Sequence, residues 1–143
     1  MSGAIPLKVK SMPEGGTIGG GVKAIAHEIL SYLERLVETG ETAAVDLKSL
    51  PISPDEFNGL KEMLGQGELD LVIDLDGPTR LRETAYAGVW WIQHRGTDDR
   101  VQSEYIEINR TPDFLNTDID HIRQAITALS DRLKGAPSDD QKE

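Results

Sequence analysis

Asp74, Asp76, Glu83, His94 and Glu104 are the side chains of this sequence whose types could do acid–base or metal chemistry. Carboxylates beside a histidine could relay protons or hold a divalent cation. Their local context favours plainer roles. Asp74 falls on the wet side of an alternating strand, and Asp76-Gly77-Pro78 is turn chemistry. No HExxH or GxSxG spacing is present, and no activated nucleophile stands out. With no cysteine and three scattered histidines, the chain is a poor soft-metal site and has no thiolate zinc or iron–sulfur ligands. The glycines at 19–21 are followed by no Gly-Lys-Ser/Thr and preceded by no strong strand, so they do not form a phosphate loop. A small enzyme or metal-handling factor using the acidic residues and His94 is therefore the weaker reading. No catalytic residue, metal ligand or cofactor is assigned.

The aromatic residues offer a different chemistry, that of recognition. GVWWIQHRG, residues 88–96, sets Trp90 and Trp91 side by side in a chain with two Trp, three Tyr and two Phe. Adjacent side chains of a strand point to opposite faces, so the pair cannot share one core. A tryptophan on a wet sheet face is covered either by its own chain or by a partner.

The 143 residues suit one domain with one sizeable core. A formal net charge of −10 argues against phosphate-driven binding to nucleic acid and against docking on anionic lipid. It suits a basic protein partner better. No apolar run reaches membrane-spanning length and the start has no long apolar signal core, which makes the cytoplasm the default address.

Hydrophobic periodicity then places the elements. Residues 1–21 read as a flexible Gly/Pro-rich lead-in with an early extended piece at Ile5–Val9. Val22, Ile25, Ala26, Ile29, Leu30, Leu33, Leu36 and Val37 form one helical stripe ending at Gly40, while His27 lies beside it as a packed or surface residue. Thr42–Leu47 reads as a short strand. Ser53, Pro54 and Glu56 make a capping box for a helix burying Phe57, Leu60, Met63 and Leu64. In the next strand Leu69, Leu71, Ile73 and Leu75 alternate with Glu68, Asp70, Val72 and Asp74. Strands follow near 80–95, with a bulge or bend at Tyr86-Ala87-Gly88, and near 100–108. Thr117 and Asp120 open a last helix with Ile119, Ile122, Ile126, Leu129 and Leu133 inward, and 135–143 read as a disordered tail. The order α-β-α-β-β-β-α indicates an α+β fold: an antiparallel sheet of three to five strands, with about three helices on one face. Residues 22–134 are expected to be a single domain.

If Arg95 pairs with Arg100 across the GTDD turn, Trp90 falls opposite Tyr105, Ile92 opposite Ser103, Trp91 opposite Glu104 and Gln93 opposite Gln102. That register assigns Trp90 to the apolar face and Trp91 to the wetter, partner-facing one.

The blocks HEILSYLERLVETGE, DLKSLPISPDE, LGQGELDLVID, RETAYAGVWWIQHRG and EYIEINRTPDFL carry a resemblance. Their order and spacing are similar to those of the HupH/HyaF hydrogenase expression–formation family, across about residues 22 to 116. ETAYAGVWW is the most specific block. Members of that family are commonly longer, with this region in the C-terminal half, and this chain resembles that region alone. Here YAG stands where many relatives carry an aromatic or aliphatic residue before Pro-Gly.

The resemblance implies a cytoplasmic accessory or chaperone protein for maturation of an uptake NiFe hydrogenase. It implies binding to a hydrogenase subunit precursor, the iron–sulfur small subunit before twin-arginine export, and contact with other maturation proteins. The family brings no catalytic residues. The partner-binding candidates are Glu83, Thr84, Gly88, Val89, Trp90 and Trp91, with Gly88 shaping the backbone and Trp91 making direct contact. The alternative for this block is ordinary strand residues around a glycine bulge. A homodimer stays open.

Overall fold

A computed structural model describes residues 9–11, 19–74 and 76–136. Expectations for 5–8, for most of the lead-in, for Leu75 and for the tail at 137–143 lie outside the described residues. In chain order the elements are β1 (Val9–Ser11), α1 (Gly20–Thr39), β2 (Ala43–Asp46), α2 (Pro54–Leu64), β3 (Gln66–Gly67), β4 (Asp70–Asp74), β5 (Pro78–Glu83), β6 (Val89–Arg95), β7 (Val101–Ile108), a 3-10 turn (Asp113–Leu115) and α3 (Ile119–Gly135). The chain forms two compact units that divide between Pro112 and Asp113.

The first unit holds an antiparallel five-stranded sheet in the order β2-β7-β6-β5-β4, with β1 and β3 paired separately. The α+β class and the order of helices and strands are as the periodicity indicates. Besides the short β3, which the periodicity does not indicate, one longer element differs. The segment expected as a single bent strand near 80–95 is a hairpin in which β5 and β6 pair from Thr79↔His94 to Glu83↔Trp90. Gly88, at φ +87°, lets the chain reverse where a bulge would only have bent it.

Local chemistry explains the helices. Ser53 Oγ accepts from the Glu56 N–H at 3.1 Å, and the Glu56 carboxylate accepts from the Ser53 N–H at 3.0 Å, closing the expected capping box of α2. At the end of α1, Gly40 adopts the left-handed conformation and its N–H returns to the Leu36 carbonyl at 2.9 Å. Val22, Ile25 and Ile29 of α1 and Leu60 and Leu64 of α2 are buried together with Val45, Val89, Trp91, Ile106 and Ile108 of the sheet. Those sheet residues share one face by register, so α1 and α2 cover that face. Leu30 and Val37, at the flank of the α1 stripe, stay exposed.

β4 keeps the alternation read from its sequence, with Leu71 and Ile73 half-buried and Asp70, Val72 and Asp74 exposed. Among the described residues, no helix is long and apolar enough to cross a membrane.

The second unit contains the 3-10 turn and α3. Asp118, rather than Thr117, caps the helix by accepting from the Asp120 N–H at 2.8 Å. Its five apolar residues, expected to face inward, are exposed instead. A single helix with one short turn offers no second layer against which to bury a stripe.

Candidate functional site

The ETAYAGVWW block is the β5–β6 hairpin, and nearly every residue in it holds backbone. The Glu83 carboxylate accepts from the Leu69 N–H at 2.8 Å and ties down the approach to β4. Thr84, buried, donates its hydroxyl to the Val89 carbonyl at 2.9 Å and accepts from the Tyr86 N–H at 3.1 Å. The Ala85 N–H donates to the Leu64 carbonyl at 2.8 Å, fastening the turn to the end of α2. A Cβ on Gly88 would lie 3.3 Å from the Leu33 side chain, so the turn also abuts α1. Val89 packs in the core.

The tryptophans divide between the faces as strand geometry requires, but neither is left for a partner. Trp91 is 3% exposed and Trp90 is 9% exposed. The observed register sets Trp90 opposite Glu107, Trp91 opposite Ile106, Ile92 opposite Tyr105 and Gln93 opposite Glu104. This is two residues away from the expected pairing. One residue comes from the turn, where Arg95 pairs with Val101 rather than Arg100, and one from an irregularity between His94 and Arg95. A shift of two preserves the faces. Trp91 and Glu104 therefore do lie on one face, and the indole N–H donates to the Glu104 carboxylate at 2.7 Å. The partner-facing assignment of Trp91 is overturned because α1 and α2 roof that face. Phe57 meets the Trp91 ring edge-on at 5.4 Å, and the Lys61 ammonium lies 5.4 Å from both ring centroids. Burial, and then the neighbouring Arg82, lowers the Lys61 pKa below its ordinary value. Trp90 belongs to the opposite face and donates its indole N–H to the Asn109 carbonyl at 3.0 Å.

The five residues considered for acid–base work are not brought together. Asp74 and Asp76 are exposed at the β4–β5 turn, where Asp74 accepts a long 3.4 Å bond from the Gly77 N–H. Glu104 lies on the helix-covered face, whereas His94 pairs with Ser103 on the other. Among the described residues, no three His, Cys, Asp or Glu side chains converge where they could hold a metal ion.

His94 has a structural setting instead. Its Nδ1 is 2.7 Å from the hydroxyl of the fully buried Thr79, and its Nε2 is 3.3 Å from the Tyr105 hydroxyl. Burial lowers its pKa below the ordinary 6.5. The unfolded chain then binds the proton more readily, so stability falls as pH drops below 6.5 and is level above it. Urea unfolding across pH 5 to 8 should show that acid-side loss, and His94→Gln should flatten it. An unchanged slope in the variant would assign the loss to other groups.

What the hairpin presents outward is Tyr86, 42% exposed, with Ala87 beside it. Tyr86 lines an apolar cleft of about 220 Å³. Ala26, Ile29, Leu30 and Leu33 of α1 line it, with Met63 and Leu64 of α2. The volume is below the roughly 300–1,000 Å³ of small-molecule sites and suits one or two anchoring apolar side chains. Sequence reasoning named the residues that build this cleft's turn and missed the residues that line it. The available signal was the width of the α1 stripe, since Ala26, Leu30 and Leu33 exceed what one buried line needs.

The comparisons with known proteins cover this hairpin and most of the chain around it. Residues 21–136 match the HupH hydrogenase expression protein, C-terminal conserved region. The chain is 29% identical over 106 residues to the hydrogenase expression/formation protein HoxQ of Azotobacter vinelandii, a match covering 72% of this chain and 37% of the relative. It is 31% identical over 93 residues to the hydrogenase expression/formation protein HupQ of Azotobacter chroococcum mcd 1, covering 61% of this chain and 33% of the relative. The matched region thus spans about a third of the curated relatives' length. The solved hydrogenase expression protein HupH from Thiobacillus denitrificans ATCC 25259 superposes with a TM-score of 0.77 at 34% identity, over 82% of this chain and 98% of that one. By sequence and by fold, then, this chain belongs to the HupH hydrogenase expression protein family.

Proposed function

We propose that this protein is a non-catalytic accessory factor of hydrogenase maturation that holds a hydrogenase subunit precursor at the apolar cleft between α1, α2 and the β5–β6 turn. The observation that carries this reading is the placement of the ETAYAGVWW block: its buried residues fix a turn whose exposed side chain, Tyr86, lines the cleft. The names of the relatives supply the hydrogenase context. Within it, the proposed client is the iron–sulfur small subunit of an uptake NiFe hydrogenase, held in the cytoplasm before export, with other maturation proteins as further contacts. Glu83, Thr84, Gly88, Val89, Trp90 and Trp91 act in this reading by positioning the cleft, while Tyr86 and Leu30 touch the client.

Leu30, 52% exposed at the cleft, can be changed without opening the core. Leu30→Glu should weaken capture of the purified small-subunit precursor by about 30-fold, the loss of one anchoring contact of roughly 2 kcal/mol. Tyr86→Ala should act in the same direction. Binding measured by calorimetry or co-purification, with the large-subunit precursor as comparison, tests it. The reading is wrong if neither precursor associates with the native chain, or if both variants bind as it does.

A further inference from the structure

The apolar residues of α3 fall at 119, 122, 126, 129 and 133, alternating steps of three and four. That is the a/d spacing of a helix–helix seam, kept without interruption along the helix. Ile119 is 59% exposed, Ile122 41%, Ile126 63%, Leu129 61% and Leu133 70%, and no described residue of α3 is buried. Such a stripe exposes on the order of 500 Å² of apolar surface, in the upper part of the roughly 300–600 Å² range of a monomer's largest patch, which is often functional.

Charge selects the occupant. Asp118 and Asp120 stand at the N-terminal end of α3, where Arg123 pairs with Asp120 at 2.9 Å, and Asp131, Arg132 and Lys134 stand at the C-terminal end, so the first end is net acidic and the second net basic. A second α3 laid antiparallel sets each acidic end beside a basic one and opposes the helix dipoles favourably, whereas a parallel pair stacks like charges. The same stripe is thus self-complementary under a two-fold axis. Two copies would bury about 1,000 Å², at the floor of what a specific interface requires, so the association is reversible rather than obligate.

We infer that α3 is a self-association seam through which two copies of this chain pair with their α3 helices antiparallel. Sedimentation of the full chain should show reversible dimers at concentrations on the order of 100 µM. Ile126→Asp, in the middle of the seam, should raise the dissociation constant at least about 30-fold while circular dichroism stays native, because the side chain is exposed in the single chain. Leu133→Lys provides a second variant should the first lose helix. Orientation has its own readout, since the chain has no cysteine of its own. Ile119→Cys mixed with Leu133→Cys should give a disulfide-linked dimer under mild oxidation, and Ile119→Cys alone should give little. A monomeric native chain, seam variants that dimerise normally, or equal cross-linking by Ile119→Cys alone would each overturn the inference. Precursor capture by Ile126→Asp reads separately on the cleft, whose lining residues the seam does not use.

Discussion

Trp91→Ala should cost about 3–5 kcal/mol of folding stability, the range for truncating a large buried aromatic. The residue sits on the central strand β6 with 3% exposure, between Phe57 of α2 and Ile106 of β7. Two losses add to the cavity. The carboxylate of Glu104, a residue 7% exposed, loses its 2.7 Å indole donor and keeps the Gln93 amide at 3.2 Å. The Lys61 ammonium loses one of the two rings it lies against. Trp91→Phe restores most of the volume but not the donor, and should cost about 1–3 kcal/mol. For a domain of ordinary stability, ~5–15 kcal/mol, the alanine variant loses a large share. Urea unfolding followed by circular dichroism should show a lower midpoint at unchanged slope. A cost below about 1 kcal/mol would mean that α1 and α2 do not roof this face in solution. Loss of client binding in Trp91→Ala, without Leu30→Glu to compare, would report unfolding rather than lost contact.

Gly77→Ala is the second large effect. Gly77 has φ +124°, a backbone region that L side chains rarely adopt, and a Cβ there would run into the carbonyl of Arg95 and the backbone of Gly96. The β4–β5 turn is therefore seated on main chain that has no flexible end to move aside. Strain and overlap together should cost about 2–4 kcal/mol. Gly40 is the internal control. It also has positive φ, at +78°, but nothing lies within 4 Å of its would-be Cβ. Gly40→Ala should cost only ~1–2 kcal/mol, the left-handed penalty alone. Equal losses in the two variants, measured by the same unfolding experiment, would show that the turn yields freely at Arg95.

These two positions also mark how far the residues could be read in one dimension. Asp76-Gly77-Pro78 was legible as a turn from local chemistry. That its glycine abuts the end of β6 was not, because the contact joins residues nearly twenty positions apart. The β5–β6 hairpin shows the same boundary. Gly88 marked an interruption, but bend and full reversal differ only in whether the two flanks then pair, which is a non-local event.

By itself, the sequence determined what rests on neighbours in the chain: the capping box of α2, the glycine cap of α1, the alternation of β4, the α+β class and the family blocks. It also determined that Trp90 and Trp91 must part, since side chains in a strand alternate whatever surrounds them. Tertiary structure alone decided that both faces of β6 are dry at these two positions, that the turn and an irregularity between His94 and Arg95 together shift the register by two, and that Tyr86 rather than either tryptophan reaches solvent. It likewise decided that the α3 stripe, periodic enough to promise a core, has none within its own unit. Periodicity states which side chains share a face. Whether that face is covered depends on a second layer, and a second layer is assembled from residues distant in the chain.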